Sequence, residues 1–162
     1  MPTYKSLTLL LTTGLMTIGN ATADMTNISP KQAAMKIATI TKMYQQDIRD
    51  EGMSNPAVLQ QYANEDLQAA MQLEQDYFDK HQMSCNIDYD VLWDSQDPDY
   101  TQDKKISMTD KGLVQVSLAQ GSDIYYKLTC DSADKNGECQ IADVTLNEDG
   151  GTLSQHLLEA CR

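Results

Sequence analysis

Apolar residues in the first third of the chain recur at helical spacing. Ala33, Ile37, Ile40, Tyr44 and Ile48 fall on one helix face. Ser29-Pro30-Lys31-Gln32 stands before them as a start signal: Ser29 caps, Pro30 suits the first helical position, and Gln32 completes a capping box. Gly52 ends the run. Asn55-Pro56 opens a second helical region by the same signals. Ala63, Leu67, Ala70, Leu73 and Tyr77 carry its period to about His81. Asn64-Glu65-Asp66 supplies a cap inside that region, which therefore reads as one helix or as two. After an aspartate-rich stretch the period becomes two. Ile106 and Met108 alternate with polar neighbours, and Val114, Val116 and Leu118 share the face of a second strand. Ile124, Tyr126, Leu128 and Cys130 share the face of a third, and Cys139 to Leu146 forms a fourth. Asp110-Lys111-Gly112, Gln120-Gly121-Ser122 and a polar run with Asn136-Gly137 separate these strands. Asp149-Gly150-Gly151 ends the last one. Thr152-Leu153-Ser154-Gln155 then caps a closing helix that carries Leu157, Leu158 and Cys161. The order predicts an α+β domain: N-terminal helices packed on a four-stranded antiparallel, curved sheet, with a closing C-terminal helix.

Residues 1–23 stand apart from that domain. Lys5, the apolar run from Leu7 to Ile18 and the triplet Ala21-Thr22-Ala23 compose a secretory signal peptide cleaved after Ala23. The run is shorter than the ~20 residues of a spanning helix and no second one follows, so no membrane span is expected. Residues 24–162 then form one domain, periplasmic or secreted. The formal net charge is −12. This argues against nucleic acid and anionic membrane as partners, because phosphate binding needs clustered Lys and Arg. It suits a basic partner, such as a basic envelope protein. All four cysteines, Cys85, Cys130, Cys139 and Cys161, lie in the exported part, which predicts two disulfides. Cys130 and Cys139 flank one hairpin loop on the core-face parity and are expected to pair, leaving Cys85 with Cys161. A tight two-residue turn at Asn136-Gly137 would instead set Cys130 opposite Asp143, but the polar run 131–138 reads as a longer loop.

The densest chemistry lies in CNIDYDVLWDSQDPDYTQDKK, residues 85–105. Asp88, Asp90, Asp94, Asp97, Asp99 and Asp103 surround Trp93, the only tryptophan. An EF-hand needs oxygen ligands at loop positions one, three, five and twelve and glycine at six. Counting from Asp88 puts Leu92 and Trp93 at five and six, and counting from Asp97 puts Met108 at twelve, so neither register works. A calcium site of another kind from Asp94, Asp97 and Asp99 stays open. The main expectation is structural: short acidic side chains near Pro98 order a turn, and Trp93 pins the crossing from helices to sheet. No metal or other cofactor is predicted.

Within that stretch, IDYDVLWDSQDPDY resembles the D-x-D-x-x-x-x-x-Q-D signature of an exported bacterial family, domain-of-unknown-function family 3828. Asp88, Asp90, Gln96 and Asp97 carry it. CQIADV followed by TLSQHLLEAC is similar to that family's W-x-I-x-D-I strand and closing S-L-x-x-x-L helix. Ile141, Asp143, Val144 and Leu153 match, and Cys139 stands where the family usually has tryptophan. The resemblance implies the nuclear-transport-factor-2-like, cystatin-like fold, a cone of sheet wrapped around a helix. It implies no activity, since that fold hosts isomerases, dehydratases, scaffolds and binding modules.

Two functional classes follow. The first is a small exported binding or interaction domain, with an envelope inhibitor or immunity-type protein as its specific form and Asp88, Asp90, Trp93, Gln96 and Asp97 as binding candidates. The second is an isomerase- or dehydratase-like enzyme with a small molecule in the cone. Isomerases of the fold pair a buried acid with a tyrosine. Asp143, by parity with Cys139 and Ile141 on the core face, and Tyr126 on the adjacent strand are the candidates. Asp143 has a structural reading too, as an acid that binds backbone N–H groups or Lys127. A deep cavity based on Asp143 and a tyrosine would favour the enzyme, and a filled cone with an acidic rim the binder.

Overall fold

The computed structural model describes residues 28–85, 89–130, 138–146 and 151–162. The leader expected over residues 1–23, Asp88, the Asn136-Gly137 turn and Asp149-Gly150 lie outside the described residues. Helix α1 (Pro30–Asp50) starts as its sequence requires. Ser29 Oγ accepts the Gln32 N–H at 3.2 Å, and Gln32 Oε1 accepts the Ser29 N–H at 3.3 Å. It ends where Glu51 (φ 47°) and Gly52 (φ 69°) turn left-handed. A Cβ at Gly52 would also run into the Tyr100 hydroxyl, so glycine is favoured there on two counts.

The second helical region divides at Asn64. Helix α2 (Val58–Tyr62) is followed by α3 (Glu65–His81), capped by Asn64 Oδ1 on the Leu67 N–H at 3.0 Å. Asn55-Pro56 does not open α2. The helix begins after Ala57, which makes no side-chain cap. So short a helix has little stability of its own, and the burial of Val58 and Leu59 holds it in place.

Strands β1 (Lys104–Met108), β2 (Val114–Leu118), β3 (Ile124–Cys130) and β4 (Cys139–Thr145) form an antiparallel meander in sequence order. The fold is thus α+β: a curved open sheet, helices from the N-terminal side, and a closing helix α4 (Leu153–Ala160). Val114, Val116, Ile124, Tyr126, Leu128 and Ile141 of the sheet join Ile40, Met43 and Tyr44 of α1 in one buried cluster. Each such aliphatic side chain contributes about 1.5 to 3 kcal/mol relative to exposure. The Asn64 N–H donates to the Ile141 carbonyl at 2.8 Å, so the junction of α2 and α3 covers the free edge of β4. The disulfides are those expected, Cys85–Cys161 and Cys130–Cys139. No helix among the described residues is long and apolar enough to cross a membrane.

One register expectation is corrected. Strict alternation along β4 would put Cys139, Ile141 and Asp143 on the core face. The β3–β4 pairing instead shifts between Lys127 and Leu128. Ile141 faces Leu128, Asp143 faces Lys127 and Val144 faces Tyr126, which leaves Ala142 as the extra residue of a bulge. The buried residues are therefore Cys139, Ile141 and Val144. The bulge exchanges a carboxylate for a valine on the core face, where an unpaired charge would be costly. Asp143 takes the structural role. Its Oδ1 accepts the N–H of Val144 at 2.9 Å and that of Ser154, in the first turn of α4, at 3.1 Å. The Ser154 hydroxyl donates to its Oδ2. Asp143→Ala strands the Ser154 N–H and should cost about 1 to 3 kcal/mol. Urea unfolding checks this, and an unchanged midpoint would show that α4 docks without the acid.

Candidate functional site

The stripe of α1 that packs on the sheet runs Ile40, Met43, Tyr44 and then Asp47. Helical spacing carries the aspartate into the core, where it is 4% exposed. It meets the crossing between helices and sheet: the Trp93 indole Nε1–H donates to Asp47 Oδ2 at 2.6 Å. The Trp93 ring stands edge-on to Tyr44 at 5.3 Å and to Tyr100 at 5.5 Å between centroids. The Lys104 ammonium lies over the rings of Trp93 and Tyr44, 5.3 and 5.8 Å from their centres. The Tyr44 hydroxyl donates to the Leu92 carbonyl at 2.5 Å. Each phenol has one proton, so the Tyr126 hydroxyl must be the donor in its 2.9 Å contact with Tyr44. Burial first, then the Tyr126 contact and the charges of Asp90 and Asp47, push the Tyr44 phenol well above its ordinary value. Burial pushes Tyr126 up as well.

The aspartates of the crossing order its turns. Asp90 Oδ1 accepts the Leu92 N–H at 2.8 Å, and the Asp90 N–H donates to the Ser95 carbonyl at 2.8 Å. Asp94, left-handed at φ 48°, receives the Ser122 N–H on Oδ2 at 3.0 Å. Asp99 Oδ1 accepts the Thr101 hydroxyl at 2.6 Å and its N–H at 2.9 Å, which hold the Asp99 carboxyl below the usual carboxylate range. The Asp97 N–H donates to Ser95 Oγ at 3.1 Å.

These contacts divide the sequence candidates. Trp93 is fully buried and Asp90 half-buried, whereas Gln96 and Asp97 are exposed. Asp88 lies outside the described residues. Asp143 and Tyr126 are not brought together. Tyr126 faces the core with its hydroxyl on Tyr44, while Asp143 sits opposite Lys127 on the other parity and reaches α4.

A cleft of about 230 Å³ instead gathers Asp47, Asp90 and Glu74. Its other walls include Val58, Leu59, Met71, Leu92, Leu153 and Leu157. Burial raises Asp47 above the ordinary carboxylate range, and the charge of Asp50 adds to it against the Trp93 hydrogen bond. Burial also raises Asp90, with Asp47 contributing. No family model, curated protein or solved structure matches the chain. The site therefore rests on its own geometry.

Asp47 was the residue missed in the sequence. Its signal was present, because it lies three residues after Tyr44 and four after Met43 on the apolar stripe. An aspartate on such a stripe is ordinarily assigned to solvent. The raised titration of Asp47 has a testable sign. The native state binds this proton more readily than the unfolded chain does. Stability from the group is thus greatest at low pH and falls as pH rises through the unfolded and then the folded value. Asp47→Asn keeps an acceptor for Trp93 and removes the charge. Urea unfolding between about pH 4 and pH 8 should show the stability difference moving in the variant's favour as pH rises. The opposite drift would mean that the native state stabilises the ionised carboxylate.

Proposed function

We propose that the chain is a small exported binding domain that holds a basic protein of the envelope, in the manner of an inhibitor or immunity protein. Its D-x-D and closing-helix motifs, which resemble those of the exported family 3828, support an exported role. The observation that carries this reading is the contrast between the interior and the surface of the fold. The core between the sheet and α1 is filled by Trp93, Tyr44, Tyr126 and aliphatic side chains. The exposed surface carries Glu65, Asp66, Asp76 and Asp79 on α3 and Asp97, Asp99 and Asp103 on the crossing. A net charge of −12 draws a cationic partner over long range and makes the encounter sensitive to salt. Two disulfides suit an oxidising compartment.

The enzyme reading asks for Asp143 and a tyrosine at the base of one cavity. The engagement of Asp143 with α4 and of Tyr126 with Tyr44 favours the binder. Immobilised, oxidised protein should retain a basic protein from envelope extract at low salt, and the pair should elute as a one-to-one complex. Changing Asp66, Asp76, Asp79 and Asp97 to Asn should slow its association at least about tenfold. Empty columns, or a variant that associates at the wild-type rate, would contradict the proposal.

A further inference from the structure

We propose that the cleft between α1, α2, α3, α4 and the crossing receives a single basic side chain, an ammonium or guanidinium on an aliphatic stem, with Asp47 and Asp90 taking its charge. The inference rests on the reading of the chain as a binder of a basic protein and names the point at which that protein is gripped. The size of the cleft suits one side chain. About 230 Å³ lies below the roughly 300–1,000 Å³ of pockets built for whole small molecules, but it admits one long side chain. Val58, Leu59, Met71, Leu92 and Leu157 present apolar surface along the cleft, which is what the methylene stem of Lys or Arg covers when its charged head reaches a polar site.

The cleft also carries an electrostatic deficit. Asp47 is nearly inaccessible, and its Oδ2 is occupied by Trp93. Its Oδ1 receives no hydrogen bond from any described residue, although a carboxylate accepts on both oxygens. Asp90 lines the same cleft and adds like charge. Lys104, the cation beside this network, is placed over the faces of Trp93 and Tyr44. Buried carboxylates without a cationic partner are unfavourable, and an incoming cation removes the penalty. A metal ion fits less well. Among the described residues no three His, Cys, Asp or Glu side chains stand together closely enough to hold one ion, and calcium takes six to eight oxygens.

Trp93 is the only tryptophan and bonds to Asp47, so its fluorescence and its indole N–H resonance report on the cleft. The oxidised full domain is titrated with N-acetyl-arginine amide and N-acetyl-lysine amide. N-acetyl-citrulline amide, of the same shape but uncharged, serves as the control, and calcium chloride as a separate arm. A saturable shift of the indole signal is expected with the cationic probes only. It should weaken at least about tenfold in Asp90→Asn. It should disappear in Ala57→Phe, which fills the exposed rim and leaves both carboxylates in place. No shift with either cation, an equal response to citrulline, a response to calcium alone, or unaltered binding in Ala57→Phe would overturn the inference. The two proposals fail separately. If Ala57→Phe retains a basic envelope protein as well as wild type does, the cleft is excluded and the binding reading survives. If the cationic probes bind but no basic protein is held, the cleft survives and the binding reading is excluded.

Discussion

The hydrogen bond from the Trp93 indole to the Asp47 carboxylate joins α1 to the crossing 46 residues along the chain. A charged acceptor buried in this way must be satisfied, and such a bond contributes about 1.5 to 3 kcal/mol. Its geometry fixes its neighbours. With Trp93 held against α1, Tyr44 and Tyr100 stand edge-on to its ring. Tyr44 reaches the Leu92 carbonyl next to it in the chain. Tyr126 then brings β3 into the same network through Tyr44. Helix, crossing and sheet are thus tied at one point by groups that strengthen one another in a dry interior. The position of Asp90 at the cleft follows from that point, because its carboxylate and carbonyl accept the Leu92 and Trp93 N–H groups.

Much of the fold could be read from local signals. The Ser29 capping box, the Asn64 cap, the alternation along β2 and β3 and the pairing of Cys130 with Cys139 all appear where the residues placed them. These depend on short-range chemistry that periodicity reports well. The errors came where tertiary demand overrode the local rule. In CQIADV the apolar spacing breaks between Ile141 and Val144, and the strand bulges to bury valine rather than aspartate. On α1 the reverse occurred: Asp47 stays on the buried stripe because Trp93 is there to receive it. That partner comes from a distant segment, so no window along α1 reveals it. Of the aspartate stretch, the turn-forming role of Asp90, Asp94 and Asp99 was legible. The cleft was not, since Asp47, Asp90 and Leu157 meet only in the folded chain.

The same arrangement links the core to the proposed function. Trp93, Tyr44 and Tyr126 are fully buried and form the aromatic part of the core. The carboxylates are divided between an exposed population on α3 and the crossing and, at the cleft, the buried Asp47 beside the half-buried Asp90. Exposed charge governs encounter and its dependence on salt, whereas a desolvated carboxylate governs how long a cationic group stays. A binder needs both.

The central claim is that the Trp93–Asp47 bond is a permanent part of the folded state. Native-state hydrogen exchange of the Trp93 indole N–H, followed by NMR, tests it most directly. The account predicts protection equal to that of the slowest backbone amides in β3, with exchange only through global unfolding. An indole proton that exchanges as fast as an exposed one, while the β3 amides stay protected, would show that the crossing opens independently and that the bond does not hold the fold together.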